Sequence, residues 1–301
     1  MAVPHPWGVT TRRTQQDGEM ARRFSAPYQL EPVSALATWA RTLAVFSLVA
    51  TAGSILVIRF GFLEFKPALM TFFGALGLAA LSILVAFAAF AAIWQNGSRG
   101  MGRIFIALLI DVAILAYPAY LGLQYRKLPA IHDITTDPID PPRFDALARL
   151  RTGDGTNPAA YAGLYSAEQQ QQAYPDIEPV TLEVPPQRAF EETLKLVTRR
   201  KWLIIDERAP QPPRMIGRIE AVARTPIMGF REDISIRVQP DADGSRVDIR
   251  SASRYFEHDL GTNAARVSKL IDDLNDAVDN AKPVKKAPAP KPVAPKAPAK
   301  R

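Results

Sequence analysis

At 301 residues the chain has room for two units, and its 48% hydrophobic content is concentrated between about residues 34 and 125. Cysteine is absent, which excludes a disulfide framework, a thiolate zinc site and a cysteine nucleophile. The formal net charge is +7, but residues 282–301 hold six Lys and one Arg without an acid, so the other 30 bases and 30 acids balance. A folded nucleic-acid-binding face is thereby excluded.

Residues 1–33 read as a basic tail carrying Arg12, Arg13, Arg22 and Arg23. Three apolar runs follow: Ser34 to Ile58, interrupted by Arg41; Ala68 to Trp94, without charge; and Ile104 to Tyr125, carrying Asp111. A bilayer core takes roughly 20 apolar residues as helix, so each run is long enough to cross. The first run begins too far into the chain, and lacks the small-residue site, for a cleaved signal peptide. Flanking cations, six with the N-terminal tail and second loop against Arg59, Lys66, Arg126 and Lys127 opposite, predict a cytoplasmic N-terminus. Three crossings then put everything after about residue 126 on the far side, the periplasm of a bacterium.

Arg41 stands about seven residues into the first span and Asp111 about eight residues past Arg103. At about 1.5 Å per residue they reach similar depth, which predicts a structural Arg41–Asp111 ion pair. Gly74, Ala75, Ala79, Ser82 and Ala86 predict close packing along the second span.

Residues 126–179 read as an extended proline-rich arm laid over a domain, with a short helix at Ser166–Ala173 opened by a Ser-x-x-Gln capping box. His132, Asp133, Asp137 and Asp140 lack the spacing of a metal site on a regular element, so no metal or other cofactor is expected. Over residues 180–281 the pattern is β-α-β-β-β-β-α. TLEVP is a strand, and Pro185-Pro186 opens a helix striped by Phe190, Leu194 and Val197. WLIIDERA, GRIEAVART, EDISIRVQP and SRVDIRSAS are strands, the last two joined at DADG. Val267, Leu270, Ile271, Leu274 and Val278 mark a helix over about 262–280. The expected fold is therefore a three-helix transmembrane region followed by an α+β domain, an antiparallel sheet with two helices on one face. Its other face would carry Arg237, Arg246 and Arg250 among acids, matched by cross-strand pairs or by an acidic ligand, a lipid headgroup or the arm.

The blocks IHDITTDPIDPPRF, RTPIMGFREDISIRV and SASRYFEHDLGTNAARV resemble those of the bacterial and plastid proteins grouped as domain of unknown function 1499, over about residues 129–278. That resemblance implies a membrane-associated, non-cytoplasmic domain and no established activity.

The polar corner SASRYFEHDLGTNAAR admits three readings. Asp259 and Thr262 stand where helix N-terminal donors need acceptors. Arg254 and Arg266, with Asp259 and Asn263, would form an anion-binding site. A Ser-His-Asp hydrolase around His258 lacks a nucleophile elbow. Residues 282–301 read as a disordered Lys/Pro/Ala tail. The expected function is a non-enzymatic envelope binding or scaffolding module in the inner membrane. Its expected partners are the lipid bilayer and an envelope protein, lipid or anionic surface, without nucleic acid. An anchored enzyme acting on an envelope substrate, or an accessory subunit of a sensor or transport system, are the alternatives.

Overall fold

The computed structural model describes residues 31–153 and 155–279; the two expected tails lie, apart from residues 31–33, outside them. Three long helices open the described chain: α1 (Ala35–Phe60), α2 (Phe65–Asn96) and α3 (Met101–Lys127), with mean hydropathies of 2.0, 2.5 and 2.2 in their most apolar windows. Less than a third of each window is buried. Leu36, Trp39, Phe46, Val49, Met70, Phe73, Leu84, Phe87, Phe105 and Leu109 are exposed along them. So much contiguous apolar surface is incompatible with water and is what hydrocarbon solvates. The protein is membrane-anchored through these helices.

The chain divides into two compact units, one of which holds residues 76–113 with α1 up to Leu48. There Ala37, Ala40, Ala44, Ala86, Ala89, Ile93, Ile104 and Ala107 form a buried cluster. On α2 the buried positions from Ala75 onward are Ala75, Ala79, Ser82, Ala86, Ala89 and Ile93, at alternating intervals of four and three, so mostly small side chains line one seam. Gly74, expected on that seam, is exposed beside it. The Ser82 hydroxyl donates to the Ala40 carbonyl at 3.0 Å, a hydrogen bond between helices.

Arg41 and Asp111 do not form the expected pair. Arg41 is exposed on α1, whereas Asp111 is fully buried and both its carboxylate oxygens lack a hydrogen-bond partner. Similar depth did not suffice because the two side chains point to opposite environments. A buried polar group without a partner costs about 1–3 kcal/mol, so Asp111→Val is expected to raise the unfolding temperature of the detergent-solubilised protein. An unchanged or lower temperature would show that the carboxylate is satisfied in the membrane.

The second unit contains the sheet domain. Its elements are β1 (Asp133–Thr135), a 3-10 turn (Leu147–Leu150), α4 (Leu164–Ala173), β2 (Val180–Leu182), α5 (Pro186–Arg199), β3 (Leu203–Arg208), β4 (Gly217–Arg224), β5 (Arg231–Asp241), β6 (Gly244–Ser253) and α6 (Thr262–Asp279). All pairings are antiparallel, in the order β1-β6-β5-β4-β3, with β2 also on the outer edge of β6. Ile219, Ala221, Ile234, Ile236, Val238, Val247 and Ile249 turn one face toward Phe190, Leu196 and Val197 of α5 and Val267, Leu270 and Leu274 of α6. Each fully buried aliphatic side chain here contributes about 1.5–3 kcal/mol. The two helices thus cover one sheet face, as the alternation of β5 requires. Leu194, expected in the α5 stripe, is only partly buried, and Leu196 takes its place. Gly244 sits at φ +153°, and a Cβ there would lie 2.3 Å from the Leu182 carbonyl oxygen; glycine lets β2 cross close to the hairpin.

The proline-rich arm is more than a covering. Its residues 133–135 pair with Arg250–Ala252 as an edge strand, so the sheet has six strands. Its helix starts at Leu164 after Gly163 without a side-chain cap, and Ser166, expected to be that cap, is buried within the helix. Gln170 of this helix substitutes for a strand: its amide donates to the Thr135 carbonyl at 2.7 Å and accepts the Thr135 N–H at 3.0 Å. These groups would otherwise be an open sheet edge.

Candidate functional site

Three clusters of charge surround the sheet, the first two on the face opposite α5 and α6, where β4, β5 and β6 place Glu220, Asp233, Ser235, Arg237, Arg246, Asp248 and Arg250. The arm supplies their partners. Asp133 of β1 meets Arg250 in a two-pronged pair, Nε–Oδ1 2.9 Å and Nη2–Oδ2 2.6 Å, and both side chains are buried. The Arg250 guanidinium also lies 4.3 Å from the Phe144 ring centre and 5.6 Å from that of Tyr161, whose phenol burial pushes up to about 12. Asp137 and Asp140 bind Arg237 at 3.3 and 2.7 Å, and Arg246 bridges Asp137 and Asp248 at 2.6 and 2.7 Å. Burial opposes the charge of Arg237, but Asp248 and Asp140 outweigh it and its pKa is raised. The buried Glu220 carboxylate accepts the backbone N–H groups of Asp145, Ala146 and Leu147, which anchors the 3-10 turn. The carboxylates considered with His132 for metal binding are thus engaged with arginines.

The second cluster centres on Asp233. Its carboxylate receives Arg151 Nε at 2.8 Å and Arg254 Nη2 at 2.8 Å, with side-chain exposures of 0, 2 and 4% for Asp233, Arg151 and Arg254. Burial lowers the Arg151 pKa, and Asp233 acts in the opposite sense. Arg151 continues to the Pro158 carbonyl at 2.7 Å, tying the arm to the sheet.

The third cluster is the corner before α6. Asp259 accepts the N–H groups of Gly261 and Asn263, both at 2.9 Å, so it caps the helix. Burial raises its pKa, while these two N–H groups lower it. Asn263 spans the corner, accepting from Ser251 at 2.7 Å and donating to the His132 carbonyl and Ser253 hydroxyl. Arg266 donates to Ser251 and Asn263 and pairs with Glu232, which also accepts from Thr262 at 2.6 Å. The sequence-predicted set therefore divides: Asp259, Asn263 and Arg266 belong to one network, whereas Arg254 lies on the opposite sheet face with Asp233. The polar groups named are satisfied within the chain, and this arrangement welds the end of β6 to α6.

His258 uses both ring nitrogens. Nδ1 accepts the Leu260 N–H at 2.9 Å, which assigns the proton to Nε2, facing the Leu128 carbonyl at 3.1 Å. Its ring lies 4.7 Å from that of Tyr125 near the end of α3. It therefore joins the corner to the transmembrane helix instead of facing a serine.

Glu232, Asp233 and Arg151 were missed as site residues from the sequence. Hairpin register contains the signal for the acids: counting outward from Asp241 opposite Gly244 puts Glu232 opposite Ser253 and Asp233 opposite Ala252. Nothing comparable marks Arg151, which reaches the sheet from an irregular loop.

The region spanned by these clusters, from the edge strand to the last buried turn of α6, is also a region of shared sequence. Residues 133–274 match the family model described as Protein of unknown function (DUF1499). The matched region starts at Asp133, the first residue of β1 and the partner of Arg250, so the arm from that residue on lies within the matched region. No curated protein matches the chain.

His132 provides a test by pH. Burial lowers its pKa from 6.5, Asp133 and Asp259 raise it, and Arg151 lowers it. A depressed folded-state pKa stabilises the fold above the unfolded value and loses that contribution as pH falls through the folded one. Thermal stability is therefore expected to fall as pH drops below about 6.5, with a shallower dependence in His132→Gln; parallel pH profiles would overturn the assignment.

Proposed function

We propose that this protein holds a non-enzymatic binding or scaffolding domain at the periplasmic face of a bacterial inner membrane, with its N-terminus in the cytoplasm. The carrying observation is how the domain's charged groups are used. Arg151, Arg250, Arg254 and Arg266 meet carboxylates of the same chain, and His258 is spent on two backbone groups. Such a network favours a rigid platform over chemistry that requires groups to change protonation. The excess of arginines around the N-terminal tail and second loop supports the orientation.

Because cysteine is absent, single-cysteine labelling tests the topology without background. Lys195→Cys on exposed α5 is expected to react with a membrane-impermeant maleimide in intact spheroplasts, and Asn96→Cys only after lysis. The reverse pattern would overturn the periplasmic assignment. The scaffolding reading further requires cellular function to survive Asp259→Asn and His258→Gln when the domain remains folded; its loss with intact folding would favour catalysis.

A further inference from the structure

The second unit also contains an arginine-lined cavity of about 220 Å³ that the charge clusters above do not use. Arg59 in the last turn of α1, Leu63, Glu64 and Phe65 at the start of α2, Arg224 and Arg231 at the loop end of the β4–β5 pair, and Phe230 and Tyr255 contribute to its lining. We propose that this cavity is a binding site for the phosphodiester headgroup of an anionic membrane phospholipid.

Three observations support the assignment. First, Arg224 and Arg231 are direct cross-strand partners on one sheet face. Like charges in that relation repel, and Arg59 adds a third guanidinium to the same cavity. Among the described residues none of the three forms an ion pair, although the domain matches its other arginines to carboxylates repeatedly. Glu64 is the only acid in the lining, so the cavity keeps an excess of positive charge. An anion placed between the guanidinium groups removes the repulsion and receives charge-assisted hydrogen bonds.

Second, the walls are organised without a ligand. Arg59 Nη1 donates to the Pro226 and Ile227 carbonyls at 2.8 and 3.2 Å, and Arg224 Nη1 returns a bond to the Arg59 carbonyl at 3.0 Å. Phe65 stacks on Tyr255 with ring centres 4.1 Å apart and meets Phe256 and Phe230 edge-on. Gly229 approaches Arg59 so closely that a Cβ would lie 3.0 Å from its Cγ. The loop between β4 and β5 is therefore held against the end of α1, with Arg224 and Arg231 exposed beside it.

Third, the position selects lipid over a soluble anion. The site lies where α1 ends and α2 begins, at a membrane boundary, beside Phe60 and Phe62, which are 65 and 72% exposed. Exposed Phe60 and Phe62 favour hydrocarbon whereas the guanidinium groups favour the headgroup layer, which places a phospholipid phosphate beside these cations and its acyl chains against the exposed apolar helices. The inference rests on membrane anchoring alone and is independent of which side of the membrane carries the domain.

The test uses the full chain purified in mild detergent, offered equimolar phosphatidylglycerol and phosphatidylcholine and read by native mass spectrometry. The wild type is expected to retain phosphatidylglycerol preferentially. Arg224→Gln/Arg231→Gln is expected to weaken that retention roughly 25-fold, about fivefold per arginine. Arg199→Gln/Arg214→Gln carries the same net charge elsewhere and is expected to retain it. Equal weakening in both double variants, or no weakening in the first, would overturn the site. Unfolding temperatures monitor folding; if the first variant unfolds, Arg231→Gln alone must still show the fivefold loss. Inorganic phosphate is offered separately: Arg231-dependent stabilisation by phosphate without any preference for phosphatidylglycerol would overturn the lipid as ligand.

Discussion

Asp233→Ala is expected to destabilise the domain by about 3–5 kcal/mol or more, because it leaves Arg151 and Arg254 buried without a counter-charge. Asp233 is fully buried at the start of β5 and holds one guanidinium from the arm and one from the end of β6. A domain has only about 5–15 kcal/mol of stability, so most of that margin would disappear. Arg151 also lies over the Phe144 ring at 4.9 Å, and its release would loosen the cluster of Phe144, Leu147, Val222 and Ala252 beneath the arm. Denaturant unfolding of the full chain in detergent, followed by tryptophan fluorescence, measures the loss. Asp233→Asn should recover only part of it, since an amide accepts hydrogen bonds but carries no charge. A change below about 1 kcal/mol in Asp233→Ala would mean that water reaches both arginines.

Asp133→Ala is expected to cost a similar 3–5 kcal/mol, and here the second half of the cycle is informative. Replacing both members, as Asp133→Leu/Arg250→Met, removes the buried charge altogether and should restore much of the stability. Full recovery is not expected, because Arg250 also donates to the Pro142 and Ala159 carbonyls at 3.2 and 3.0 Å, and these would lose their donors. Limited proteolysis separates this pair from a simple loss of core. In Asp133→Ala the segment between Asp133 and Ala159 should be cut before the strands β4–β6. Simultaneous cutting of arm and sheet would indicate that the arm does not open separately.

Hydrophobic period was enough to place the three long helices, the strands from β3 to β6 and both covering helices, since each depends on neighbours in sequence. Ile234, Ile236 and Val238 alternate so regularly that the core face of β5 follows from the residues alone. The strand within the arm was not legible for a different reason. Asp133, Ile134 and Thr135 gain strand structure only from pairing with β6, and the Asp133–Arg250 contact closes a separation of 117 residues. Arg41 and Asp111 show the same limit within helices: rise per residue gives depth, but rotation about the helix axis decides which environment a side chain enters. Arg254 and Arg266 likewise looked equivalent until the strand pleat and the helix turn sent them to different faces.

Residue chemistry and local period thus determined by themselves that this is a membrane-anchored chain bearing an antiparallel α+β domain, because burial of an apolar stripe is a property of each segment. Only the tertiary structure decided which carboxylate these arginines meet, and that among the described residues Arg59, Arg224 and Arg231 meet none. Pairing of charges depends on contacts between distant segments, and no single segment carries that information.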